Sequence, residues 1–166
     1  ESSAAVGMLY RLCSSAQFCM KDKVSWRQSM LRTEQISALT LAKVMGTLHS
    51  HQAAALSSDV DDLIVGLDRV VQAIGIKAVR KNMLTFFDLV DECWNIRHVQ
   101  QRATAPQLKN QFLLTFARVL SKHYNFWRGE GEKELFLDRP LRKKIGTFSL
   151  ADPHVRDLAG GSGKSR

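Results

Sequence analysis

The chain has only three cysteines, three prolines and ten glycines among its 166 residues. So few prolines and glycines exclude collagen-like and Pro-rich classes. Cys13, Cys19 and Cys93 are odd in number, widely spaced and contain no Cys-x-x-Cys pair. Neither a disulfide framework nor a four-ligand zinc module is therefore expected, and a reducing intracellular compartment (cytoplasm, nucleus or organelle matrix) suits the chain better than secretion. Their apolar, helix-like setting makes them small core hydrophobes, whereas a redox or catalytic thiol would need an electropositive niche. No run approaches the ~20 apolar residues that a bilayer span requires. No secretory signal pattern stands at the start.

Catalytic motifs are lacking too. There is no Gly-x-Ser-x-Gly elbow, no His-Glu-x-x-His pair and no EF-hand loop. Gly160-Gly161-Ser162-Gly163-Lys164-Ser165 resembles a phosphate loop, but Leu158 stands where its first glycine is needed. His49 and His51, two apart, face different sides of a helix, and His98, His123 and His154 are scattered. Asp88, Asp91 and Glu92 lack the Glu-x-x-His partner of a carboxylate metal site and read as a solvated acidic face. The chain is expected to be no enzyme and to need no metal or cofactor.

What is present is ordinary in bulk and uneven in detail. A hydrophobic fraction of 45% and a charged fraction of 24% are those of a soluble globular domain, and the length fits one domain. Val60, Leu63, Ile64, Leu67, Val70, Val71 and Ile74 recur at helical spacing, with Ser58 as the expected cap, Asp61 in capping-box position and Gly75 as the stop. The pattern restarts with Val79, Met83, Phe86, Phe87, Val90, Cys93 and Trp94 and runs to about His98. Residues 59–98 are thus two helices, or one with Gly75 inside it. Thr104 and Pro106 open a further helix along Leu108, Phe112, Phe116, Val119, Leu120, His123 and Trp127, ended by Gly129. Opposite lies a polar ridge of Gln111, Thr115, Arg118, Lys122 and Asn125. In the first fifty residues Val6, Leu9, Cys13, Ala16 and Met20 form one stripe. Ser25 and Gln28 have capping-box spacing before a second stripe of Trp26, Met30, Leu41, Val44, Met45 and Leu48, gapped near Thr33.

No period-two alternation with hairpin turns appears, so strand content should be low. The expected fold is all-α: one antiparallel bundle of about five helices over residues 1–129, followed by a basic, mostly irregular extension over 130–166.

The charge of +8 is lopsided. Through Gly75, seven Lys/Arg balance seven Asp/Glu; beyond it, 17 face nine. The cations at Lys77, Arg80, Lys81, Arg118 and Lys122, with the run Arg139, Arg142, Lys143 and Lys144, are the candidate contacts to an anionic partner. Lys77, Arg80 and Lys81 crowd the first turns of the fourth helix, where the helix dipole disfavours positive charge. One long helix would remove the conflict; otherwise the cations face an anion. Interleaved Phe, Trp and Tyr are core residues, or stack on bases.

These features fit a non-catalytic interaction or scaffold domain, a subunit or adaptor of a larger intracellular assembly, whose basic half meets an acidic protein partner. An RNA- or DNA-binding component of a ribonucleoprotein or chromatin-type complex is the alternative. Binding to an anionic membrane through Leu135–Leu150 ranks third, because Pro140 and Gly146 interrupt any amphipathic helix there. Removing residues 130–166 is expected to leave a folded, helical protein by far-UV circular dichroism that no longer retains its partner. An unfolded remainder would assign those residues to the core instead.

Overall fold

The amphipathic stripes fold as helices where side-chain hydroxyls and glycine do not intervene. A computed structural model describes residues 3–27, 31–49 and 59–122. Within them lie five α-helices: α1 (Ala4–Cys13), α2 (Ala38–His49), α3 (Val60–Ile74), α4 (Ile76–Trp94) and α5 (Asn110–Lys122). The strands β1 (Val24–Ser25) and β2 (Ile36–Ser37) pair in parallel, Val24 with Ile36 and Ser25 with Ser37. The chain is thus helix-rich with a very small sheet. Residues 130–166, including the whole basic run, and the interval 123–129 lie outside the described residues.

One apolar cluster joins all five helices. Met8 and Leu12 of α1, Leu41, Met45 and Leu48 of α2, Leu63 and Leu67 of α3, Met83, Phe86 and Phe87 of α4, and Leu113 and Leu120 of α5 are buried in it. Burying each such side chain stabilises the fold by about 1.5–3 kcal/mol.

Several local expectations are corrected. The first helix stops at Cys13. Ser14 Oγ donates back to the Tyr10 carbonyl (3.3 Å) and Ser15 Oγ accepts the Gln17 N–H (3.3 Å), so hydroxyls compete with the helical ladder. Ala16 is therefore exposed, while Met20 reaches the core from a turn. Ser25 opens no helix. Its hydroxyl accepts the Arg27 N–H (3.2 Å) and donates to the Arg27 carbonyl (2.7 Å), closing a local turn beside the strand pair. Ser37, at the end of β2, is the residue that accepts the first-turn N–H of α2, from Thr40 at 3.1 Å.

Asp59, one residue after the expected Ser58, caps α3 by accepting the Asp62 N–H (3.1 Å). Asp61 and Asp62 add negative charge to that first turn, as the dipole favours. Helix α4 ends at Trp94 rather than near His98, because Asn95 adopts φ +58°. Thr104 caps no helix, and its hydroxyl donates to the Gln101 carbonyl (3.3 Å). Pro106 instead leads a 3₁₀ turn (Pro106–Leu108), and extended backbone at Lys109 separates that turn from α5.

Two ties hold the connections at the C-terminal end of α4. Lys23 Nζ donates to the carbonyls of Ile96 (3.2 Å), Arg97 and Val99 (3.2 Å). Burial pulls its ammonium below the ordinary lysine range, partly offset by the charges of Glu34 and Asp91. The Arg102 guanidinium donates to the carbonyls of Arg32 (3.2 Å) and Gln35, while Arg102 N–H reaches the Thr33 carbonyl (2.6 Å).

Residues 59–98 are two helices, not one. Gly75 sits at φ +101°, ψ 138°, outside helical space, so α3 ends and α4 begins at a single residue. Nothing lies within 4 Å of a Cβ placed there, so the constraint is backbone conformation alone. Gly75→Ala is expected to destabilise the fold by about 1–3 kcal/mol. Gly7→Ala inside α1, where a Cβ would meet only Arg11 Nη2 at 3.7 Å, is expected to stabilise by about 0.5–1 kcal/mol. Thermal melts of both variants test the opposite signs, at about 2–4 °C per kcal/mol.

Candidate anion-binding surface

On α4, Lys77 and Lys81 are exposed and Arg80 is half-buried. Their i, i+3, i+4 spacing puts them on one side of the helix. No side chain caps α4 at Gly75, and no acidic residue stands in its first turn. The three cations therefore add to the positive end of the helix dipole. Like charges at i, i+4, as at Lys77 and Lys81, disfavour the helix by a further ~0.2–0.5 kcal/mol. Farther along the same outer side come Asp88 and Glu92, both exposed, so α4 grades from basic to acidic. Arg80 ties this side to the turn that follows α1, its Nη2 donating to Ser15 Oγ at 3.1 Å.

Of the polar ridge expected on α5, Gln111 and Thr115 are half-buried and Asn125 lies outside the described residues. Arg118 and Lys122, one turn apart, are exposed, and Leu113, Ala117 and Leu120 are buried opposite. Val119 departs from the expected stripe and is 46% exposed. It stands about 120° round the helix from Leu113, past the edge of the core face. Phe116 of α5 meets both Phe86 and Trp94 of α4, with ring centroids 5.5 and 5.2 Å apart, whereas Phe112 meets Trp94 at 5.1 Å. Phe116 thus reaches farther back along α4 than Phe112 does. The described residues 76–122 hold eight Lys/Arg against three Asp/Glu, so most of the excess charge is on this part of the chain. Arg139, Arg142, Lys143 and Lys144 lie outside the described residues.

The described aromatics of the basic half take the first of the two roles expected of them, that of core residues. Phe86, Phe87, Phe112, Phe116 and Trp94 in the basic half pack edge to face or tilted within and against the core. The exposed aromatics among the described residues are in the neutral part: Tyr10 (62%) and Trp26 (43%), with ring centroids 5.5 Å apart. Sequence reasoning placed Trp26 on a buried helical stripe. Tyr10 fell off the first stripe, which was the available signal.

Other candidate groups have structural duties. Asp91 accepts the Ile96 and Arg97 N–H groups (3.0 and 2.9 Å) and Arg97 Nε (3.4 Å). Partial burial opposes its ionisation, but these donors outweigh it and hold the carboxyl below its usual range. His49 Nδ1 bonds the Met45 carbonyl (2.9 Å), and its Nε2 faces Asn82 Nδ2 (3.0 Å), which is fully buried. The carbonyl can only accept, so Nδ1 carries the proton and Nε2 receives the amide. Among the described residues no group of three His, Cys, Asp or Glu could hold a metal ion, and no helix is long and apolar enough to cross a membrane.

The cysteines are all thiols. Burial pushes Cys13 up to about 11, against a lowering hydrogen bond from Trp26. Cys19 is pushed up to about 12 by burial and by the charges of Asp88 and Asp91. Each unit removes tenfold of the reactive thiolate at neutral pH. At pH 8, alkylation of Cys13 and Cys19 by iodoacetamide is expected to be at least ~100-fold slower in the folded protein than in denaturant. Mass spectrometry of the modified sites measures this, and equal rates would show that neither thiol is held in the protonated form.

Set against protein-family models, curated proteins and solved structures, the chain matches none of them.

Proposed function

We propose that the protein is a non-catalytic interaction domain, a subunit or adaptor of a larger intracellular assembly, that docks an anionic partner on its basic side. Its five helices form the antiparallel bundle, and residues 130–166 extend the basic surface across the neighbour. The observation that carries this reading is the cluster Lys77, Arg80 and Lys81 at the start of α4. Because Gly75 separates α3 from α4, continuity of the helix does not relieve those charges. An anionic group docked there meets the positive end of the helix dipole together with the exposed Lys77. Arg118 and Lys122, exposed on α5, add two further cations.

An acidic protein and a nucleic acid both satisfy that charge requirement. The exposed Tyr10–Trp26 pair favours the second, since stacking faces have no use in a purely ionic contact. Membrane attachment has no comparable support.

The charge-reversal variant Lys77→Glu with Lys81→Glu spares the Arg80–Ser15 bond and tests the surface directly. In an affinity pull-down of the full chain it is expected to lose the partners that the parent retains, with an unchanged circular dichroism spectrum. Retention of all partners would remove the α4 cluster from the interface. Nuclease treatment of the same pull-down separates the partner classes: protein partners that survive it bind directly.

A further inference from the structure

We propose that Ser15 is a phosphorylation site, and that a phosphate placed there pairs with the Arg80 guanidinium and withdraws the basic start of α4 from its anionic partner. The proposal rests on the anion-binding reading above and supplies its regulation.

Ser15 stands in the short turn between the end of α1 and the buried Phe18. Its N–H donates to the Leu12 carbonyl (3.0 Å) and its carbonyl accepts the Phe18 N–H (3.1 Å), so the turn fixes the backbone that carries its side chain. Phe18 packs edge to face on Phe87, ring centroids 5.4 Å apart, which holds the turn against α4. Ser15 is half-buried, while Ser14, Ala16 and Gln17 around it are exposed.

Hydrogen bonding distinguishes this hydroxyl from others near the surface. Ser3 Oγ donates to the Asp68 carboxylate (2.6 Å), and Ser14 and Ser25 donate to the carbonyls of Tyr10 (3.3 Å) and Arg27 (2.7 Å). A phosphate dianion has no proton to donate and would be repelled by those oxygens. Ser15 Oγ accepts instead, from Arg80 Nη2 (3.1 Å) and from the Gln17 N–H (3.3 Å). Phosphate oxygens can accept from the same donors, and charge strengthens such bonds.

Arg80 supplies the other half of the pair. Among the described residues its only hydrogen-bond acceptor is Ser15 Oγ, a neutral group, so the guanidinium lacks a counter-charge. Its donor fork matches phosphate geometry. A phosphate adds roughly −1.5 to −2 charge at pH 7, enough to offset Arg80 together with Lys77 one turn before it. In the transfer, Ser15 Oγ attacks the γ-phosphorus of ATP held by a protein kinase. The new O–P bond forms as the bond from phosphorus to the β–γ bridging oxygen breaks, ADP leaves, and the hydroxyl proton passes to the kinase's catalytic carboxylate.

The full chain with phosphoserine installed at position 15 by amber suppression tests the pairing. In phosphorus NMR its phosphate is expected to titrate about one pH unit below the ordinary second pKa of about 6, because the guanidinium favours the dianion. Arg80→Gln is expected to return the midpoint to the ordinary value. Arg80→Lys, which keeps the charge but loses the fork, is expected to leave a smaller shift and serves where the glutamine variant does not fold. An ordinary midpoint with Arg80 present overturns the pairing.

In the affinity pull-down, the phosphorylated chain is expected to retain about 5- to 150-fold less of the partners that Lys77→Glu with Lys81→Glu also loses. Full retention of those partners overturns the regulation. Partners that ignore Lys77→Glu with Lys81→Glu overturn the anion surface and the regulation built on it, while the NMR midpoint still decides the Ser15–Arg80 pair. Mass spectrometry of the chain isolated from its native cells with phosphatase inhibitors present is expected to find phosphate on Ser15, and its absence there overturns the modification.

Discussion

A single glycine sets the charge problem on which the rest of the surface turns. Gly75 holds φ +101°, a conformation that L side chains rarely adopt and that no α-helix contains. With it, α3 stops and a new helix begins without a linker. The new helix has its own positive dipole end, and three cations fall there. Were the backbone helical at that position, the same residues would sit in mid-helix, where the dipole is neutral. The break thus converts an unremarkable Lys–Arg–Lys spacing into a concentrated positive region.

The polar interior of the fold serves mainly the irregular backbone. Lys23 and Arg102 each donate to carbonyls from segments far away in the chain. Gln107 Nε2 does the same for the carbonyls of Trp94 and Asn95, at 3.0 and 2.8 Å, where the end of α4 leaves acceptors without helical partners. These long-range bonds fasten residues 20–37 and 95–108 to each other at one end of α4. Lys77, Arg80 and Lys81 of the proposed surface lie toward the other end.

Much of the helical content was legible because amphipathic periodicity reports a local geometry. The α3 stripe from Leu63 to Val71, the exposed Arg118 and Lys122 of α5 and the stop at Gly75 stand where the spacing put them, whereas Val60 is exposed. Caps were legible only to within a residue, since Ser58 and Asp59 are both good caps and the choice between them depends on how the chain enters. The segment from Ser14 to Ser37 was not legible. Hydroxyls of Ser14, Ser15 and Ser25 bond the backbone locally, and Val24 pairs with Ile36 across a gap that periodicity does not see.

For the candidate surface the division is similar. Composition and order along the chain determined that the excess charge lies beyond Gly75, and that Lys77, Arg80 and Lys81 share one side of a helix. These follow from counting and from 3.6 residues per turn. Only the tertiary structure decided which aromatics meet solvent. Phe86, Phe112, Phe116 and Trp94 find one another across two helices and are buried or half-buried, whereas Tyr10 and Trp26, from separate segments, meet in the open. Exposure depends on what packs against a residue from elsewhere in the chain, and a pattern read along one segment carries no record of that neighbour.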